Sequence, residues 1–332
     1  MSNVTMKDIA KIAGVSKTTV SMVMNKKDAS ISDKTRENIL RIAKEMTYIP
    51  NSIARSLSTK KSGTIGILLP DITNPFFSEM ARAIEDEAER LKYNVIICNT
   101  DNHIDKEGKY IELLISKLID GVIFMSGGKS NESITILKNN NIPFVLVDRY
   151  IERYKDDYGV FCLNNQGVKN GIKYLYEKGN RKIVFVKGQE DLEISKQRLE
   201  GYIEAMKHYG LYNEKYIFEG NFNVEGGIIA TEKIISYFLN LDAILYSNDM
   251  MALGGMKILQ RNGYNIPKDI SVMGFDNIHI SEFIEPELTT ISQPIYAMGK
   301  KACSILIDLI NGELPTEKQV YFKTELIIRG TT

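Results

Sequence analysis

The sequence predicts an N-terminal all-α helix-turn-helix head with a short linking helix, joined to an α/β core of two doubly wound subdomains. Three observations predict it. Charge is unevenly divided in a chain of no net charge: residues 1–61 hold 12 Lys/Arg against 5 Asp/Glu, the remainder 30 against 37. Two short helical patterns split by a glycine open the chain. From Gly63 onward, apolar runs alternate with amphipathic stretches, which is the pattern of a parallel, doubly wound sheet.

The elements follow in order. Thr5-Met6-Lys7-Asp8 fits a capping box, Ile9, Ala10 and Ala13 recur at helical spacing, and Gly14 supplies a left-handed stop. Ser16 caps a second helix, Lys17 to Met24, with Val20 and Val23 inward. Ser32 caps a third, with Ile39, Leu40, Ala43 and Met46 as its apolar stripe. Two short helices around a tight turn make a helix-turn-helix, whose second helix places its first residues in a DNA major groove. Here those are Lys17, Thr18, Ser21 and Met22. Lysine donates to guanine, the hydroxyls serve several bases, and methionine packs on a thymine methyl.

Pro50 then stops the chain, Asn51 caps, and residues 52–58 form a helix too short to be stable alone. It carries Ile53 and Leu57 beside Arg55, Lys60 and Lys61. An apolar wedge with cations suits a minor groove.

In the core, strands are expected at 65–69, 95–98, 122–125, 144–148, 160–163, 183–186, 243–246 and 272–275. Helices are expected at 77–92, 165–177, 195–209, 225–238 and 249–261. Open α/β sheets bind ligands at the carboxyl ends of their strands. The residues that follow those ends are Asn74, Phe76 and Phe77, then Asp148 and Arg149, then Asn248, then Asp276. Gln293 follows a further apolar stretch, and Arg198 lies on the helix after the strand ending at Val186. Carboxylates and amides accept hydroxyl protons, arginines donate to oxygens, and aromatic faces cover C–H surfaces, so the set fits a sugar. Asn74 and Asn248 also read as helix caps, and Phe77 also reads as core.

Other chemistries lack their motifs. Cys98, Cys162 and Cys303 form no CxxC, and His103, His208 and His279 form no metal-binding pair. Gly127-Gly128-Lys129-Ser130 resembles the tail of a phosphate loop, but Ile123 stands where its first glycine belongs. No nucleophile elbow or dinucleotide loop occurs, so neither an enzyme nor a cofactor is expected. No apolar run approaches a membrane span, and the periodic N-terminus is no signal peptide. The expected compartment is the cytoplasm.

The chain resembles the lactose-repressor (LacI) family through VTMKDIAKIAGVSKTTVSMVMN and SDKTRENILRIAKEMTYIPNSIARSLSTKKSGTIGILLPDITNPFF, then GFDN, LTTISQP and ELIIRG. The resemblance covers essentially the whole chain. It implies residues 1–50 as the DNA-binding head, 51–62 as hinge helix and linker, and 63–332 as an effector-binding and dimerising core. The core is periplasmic-binding-protein-like. Its N-subdomain spans about 63–162 plus 294–322, and its C-subdomain about 163–291 plus 323–332.

The DNA contacts so implied are Thr5, Ser16, Lys17, Thr18, Thr19, Ser21, Met22 and Asn25, with Asn51, Ala54, Arg55 and Leu57 in the hinge. Met22 departs from the polar donor common there. The implied partners are a palindromic operator and a second copy of the chain, and the pocket set resembles that of ribose-type binding proteins, which points to a ribose-like monosaccharide. The segment SEMARAIEDEAERLKYNVIICNTD also resembles the catabolite control branch, which takes a phosphorylated carrier protein as corepressor.

Overall fold

The computed structural model describes residues 4–25, 28, 30–49, 61–125, 132–148 and 154–332. The chain divides into two compact units, Met1–Ser62 and Gly63–Thr332.

The first unit holds α1 (Met6–Ala13), α2 (Lys17–Met24) and α3 (Asp33–Glu45). At the start of α1 the Thr5 backbone N–H and hydroxyl both donate to the Asp8 carboxylate, at 2.9 and 2.7 Å. Gly14 ends α1 at φ 68°, a left-handed turn that glycine adopts without steric cost. The Ser16 hydroxyl accepts the Thr19 N–H at 3.1 Å and opens α2. Ile9, Ala10, Val20, Val23, Ile39, Ile42 and Ala43 form the core of this unit.

The third helix departs from its expected stripe: Leu40 is 47% exposed and Ile42 is buried. Steps of three and four from Ile39 reach Ile42 and Ala43, whereas Leu40 is rotated about 100° off that face. Ser32 caps α3 by accepting the Thr35 N–H. Ser32→Ala is expected to cost about 1 kcal/mol. In hydrogen exchange on the full chain, the α3 amides should exchange about fivefold faster.

The second unit has two lobes. The first lobe's sheet contains β1 (Thr64–Leu69), β2 (Asn94–Asn99), β3 (Gly121–Phe124), β4 (Phe144–Val147), β5 (Gly159–Cys162) and β11 (Gln319–Phe322). Their order is β11-β5-β4-β3-β1-β2, with every pair parallel. Its helices are α4 (Pro75–Arg90), α5 (Ile104–Ser116), α6 (Glu132–Asn139) and α11 (Ile295–Ile310). The second lobe's sheet contains β6 (Ile183–Lys187), β7 (Ile217–Glu219), β8 (Ala243–Tyr246), β9 (Ser271–Asp276), β10 (Thr289–Ser292) and β12 (Glu325–Ile327). Their order is β12-β10-β9-β8-β6-β7, with β12 antiparallel to β10. Its helices are α7 (Asn164–Glu177), α8 (Glu193–His208), α9 (Val224–Tyr237) and α10 (Asp249–Arg261).

The strands explain this layering. TIGILL, GVIF, FVLV, AILY and SVMGFD are buried nearly throughout, as strands with helices on both faces must be. The chain passes between lobes three times: after Cys162, between Ser292 and Ile295, and between Phe322 and Glu325. As a result α11, from late in the chain, completes the first lobe's core. Ile295, Met298, Ala302, Cys303 and Leu306 join Phe77, Met80 and Ile84 of α4 in one apolar cluster.

Candidate functional site

The strands of both lobes deliver their carboxyl ends to one cleft. It is lined by Asn74, Phe76, Phe77 and Asp148 from the first lobe, and by Ile194, Arg198, Phe222, Asn248 and Asp276 from the second. About 300 Å³ between these side chains is not filled by protein, part of it open to solvent. Of the residues expected to bind ligand, seven therefore line one cavity. Gln293 touches it through Asp276, donating its side-chain amide to Oδ1 at 2.8 Å. Arg149 lies outside the described residues, as do Asn51, Ala54, Arg55 and Leu57 of the hinge.

Local chemistry fixes each group. Asn74 caps α4 by accepting the Phe76 N–H at 3.1 Å, with Pro75 at the first helical position. That turn presents Phe76 and Phe77 edge to face, ring centroids 5.1 Å apart. Asn248 likewise caps α10, accepting the Met251 N–H at 3.0 Å, and donates to the Phe222 carbonyl at 2.9 Å. The cap readings of both asparagines hold together with their place in the cavity wall. So does the core reading of Phe77, which belongs to the first lobe's apolar cluster.

Arg198 is 2% exposed. Its Nε donates to Asn164 Oδ1 at 2.8 Å, Nη1 donates to the Ser247 carbonyl, and Nη2 lies 3.6 Å from Asp276 Oδ1. The guanidinium also stacks 3.7 Å from the Phe275 ring centroid. Burial pushes the Asp276 carboxyl well above the usual carboxylate range, and the Arg198 charge opposes that only in part. Ser195 Oγ, Ser247 Oγ and Gln293 Oε1 are buried without a hydrogen-bond partner among the described residues. Buried polar atoms left unsatisfied call for an explanation, and a bound water or polar molecule would supply one.

Beneath the cavity, Asp249 is fully buried. It accepts the Thr290 hydroxyl at 2.6 Å, the Ile278 N–H at 2.9 Å and the Ser281 hydroxyl at 3.0 Å. Burial outweighs these donors and pushes its carboxyl up from 3.8 to about 6. A carboxyl whose folded pKa is raised binds its proton more tightly when folded. Its stabilising contribution is full below about pH 4 and is lost as pH rises through about 6. The decline is at most about 3 kcal/mol. Urea unfolding between pH 4 and 7 should show a shallower fall in stability for Asp249→Asn than for the parent chain.

The sequence did not point to Ile194 or Phe222. Phe222 sits at φ 55° in the turn between β7 and α9, where an aromatic between Gly220 and the capping Asn223 was the only available signal.

In the head, Lys17 and Thr18 are exposed at the start of α2, and Ser21 and Met22 are half-buried one turn later. The four other residues expected at DNA in the head, Thr5, Ser16, Thr19 and Asn25, are engaged locally. Thr5 serves Asp8, the Ser16 and Thr19 hydroxyls bond each other at 2.8 Å, and Asn25 donates to the Ser21 carbonyl at 2.8 Å and hydroxyl at 3.3 Å. No cluster of His, Cys, Asp and Glu able to hold a metal ion occurs among the described residues, and no described helix is long and apolar enough to cross a membrane.

Comparison with known proteins gives two family matches. Residues 5–51 match bacterial regulatory proteins of the lacI family, and residues 172–332 match the periplasmic binding protein-like domain. The ribose operon repressor of Halalkalibacterium halodurans is 36% identical over 328 residues, 99% of this chain and 97% of that protein. Catabolite control protein A of Priestia megaterium is 35% identical over 332 residues, 99% of each. Among solved structures, the lac repressor dimer bound to operator and the anti-inducer ONPF aligns with a TM-score of 0.89 at 25% identity, covering 99% of both chains. A periplasmic binding protein/LacI transcriptional regulator from Alkaliphilus metalliredigens QYMF, complexed with D-xylulofuranose, aligns with a TM-score of 0.71 at 33% identity. It covers 81% of this chain and 98% of that one.

Proposed function

We propose, for a chain that belongs to the LacI family of bacterial regulatory proteins, that a monosaccharide-sized polyol held between the core lobes sets how tightly the head grips a palindromic operator. The chain is a DNA-binding transcriptional repressor. The observation that carries the sugar reading is the cleft itself. Buried Arg198, Asp276 and Gln293 form one polar chain against Phe76 and Phe77, with four lining residues from one lobe and five from the other. The relatives named for ribose and solved with D-xylulofuranose support the same class of ligand.

A polyol touching both lobes stabilises whichever lobe arrangement lets it touch both at once, and shifts the population accordingly. Operator binding is by a dimer, since a two-fold DNA site calls for a two-fold protein. Lys17, Thr18, Ser21 and Met22 would read base edges from α2. Thr5, Ser16, Thr19 and Asn25 would fix the backbone of α1 and α2 against phosphate. Asn51, Ala54, Arg55 and Leu57 would contact the central minor groove.

Thermal unfolding against a panel of pentoses, hexoses and sugar phosphates tests the reading. A sugar at 100 times its dissociation constant adds about 2.7 kcal/mol. Silence across the panel, with a shift only when a phosphorylated carrier protein is added, would transfer the function to the catabolite control type. The 35% identity to catabolite control protein A over the full length keeps that reading in view.

A further inference from the structure

The segment after Asp276 leaves the second lobe's sheet and ends inside the first lobe. Ile278 is fully buried, and it lies in the first lobe's apolar cluster with Phe77, Ile295 and Met298. Met250 and Leu253 of α10 pack against the same cluster. The next residue makes a polar contact across the lobes: the His279 N–H donates to Glu79 Oε1 at 3.0 Å. Glu79 sits on α4, two residues past the cleft residue Phe77.

The same segment is pinned on the second-lobe side. Asp249 takes the Ile278 N–H and the Ser281 hydroxyl. Asn277 donates to the Ser292 hydroxyl at 3.2 Å and accepts from Arg329 at 2.9 Å. Asp276 and Asn277 both hold left-handed backbone, at φ 114° and 61°. Non-glycine residues persist there only when their surroundings over-determine them. A stiff segment with its side chain in one core and its anchors in the other passes on displacement instead of absorbing it.

We infer that residues 277–281 form a strap between the lobes, holding their relative pose and carrying any shift of Asp276 into the first turns of α4 beside Phe76 and Phe77. Only its consequence for ligand sensing rests on the cleft reading above.

The test uses the full chain with Glu112→Cys and Glu232→Cys, exposed positions on α5 and α9. The three native cysteines are buried and leave the label specific. Spin-labelled protein diluted into unlabelled protein reports the distance between lobes within one subunit. Ile278→Ala and Glu79→Ala should each broaden the distribution and move it to longer distances. Glu79→Gln, which keeps the acceptor oxygen, should restore the parent distribution. Unchanged distributions in both alanine variants overturn the strap. Should Ile278→Ala not fold, the half-exposed Glu79 carries the test alone.

Amide exchange then tests transmission. Asp276→Asn should change exchange at Phe76 to Met80 several-fold in the parent chain, and not in the Glu79→Ala background. No change in the parent, or the same change in both, overturns the coupling. Silence in the sugar panel would instead sink the ligand reading and leave the distances as they are.

Discussion

Arg198→Ala is expected to destabilise the core by about 3–5 kcal/mol and to abolish stabilisation by a bound sugar. The guanidinium serves several partners in a site where it is only 2% exposed. Its loss leaves Asn164 Oδ1 and the Ser247 carbonyl without their donor. It also leaves the Asp276 carboxyl, which burial and the nearby Asp249 and Asp148 charges already oppose, without its opposing cation. Breaking a buried pair from one side costs far more than the pair contributes, because the survivor must either keep an uncompensated charge or take up a proton. Urea unfolding measures the first effect, and the sugar-linked rise in melting temperature measures the second. Arg198→Lys should recover part of the stability and little of the sugar response. An ammonium restores charge but cannot reach Asn164, Ser247 and Asp276 from one rigid plane. A variant that kept both the parent midpoint and the full sugar shift would remove Arg198 from the site.

Gly254→Val should cost about 3 kcal/mol or more, from a position outside the cavity lining. Helices α9 and α10 meet backbone to backbone there. A Cβ on Gly254 would lie 2.2 Å from the Val224 carbonyl oxygen, and one on Gly227 would lie 2.1 Å from that of Met251. Neither obstacle is a flexible side-chain tip, so the helices themselves must separate. Both helices begin at the cleft: α10 at the Asn248 cap, α9 just after Phe222, with the two residues bonded at 2.9 Å. Parting them should weaken sugar binding as well as stability. A urea midpoint that stays put in the milder Gly254→Ala would mean the helices give way freely, contrary to this packing.

Much of the cleft was legible because two local rules converge on it. Strand ends that face a cleft are marked by the switch from apolar runs to Asn, Asp or Gln, as at Asn74, Asp148, Asn248 and Asp276. Arg198 was legible as a charge near the start of the helix expected at 195–209, beyond the strand ending at Val186. Ile194 and Phe222 were not, because ordinary apolar residues are placed in the wall by tertiary approach, and β7 is three residues long with no pattern of its own.

Edge strands β11 and β12 escaped for the same reason: QVYF and ELI are only half buried and lack the continuous apolar run of a central strand. The helices α5 and α11 carry regular apolar spacing that was not assigned. In α11 the run from Ile295 to Ile310 directly follows a chain crossing.

The threefold passage of the chain between lobes bears on the order in which a ribosome can finish this protein. The first lobe's sheet lacks its edge strand until Phe322 has emerged, and its core lacks Ile295, Met298 and Leu306 until most of the second lobe has been made. During that interval the inner face of α4, with Phe77, Met80 and Ile84, has no helix to cover it. Nascent chains of this layout present an apolar surface for the time needed to add more than a hundred residues, about 5–20 s or longer at ordinary synthesis rates. Premature termination anywhere between the two lobes therefore yields a sticky fragment instead of a smaller working domain. The topology that lets one cleft sense both lobes also makes synthesis all-or-none.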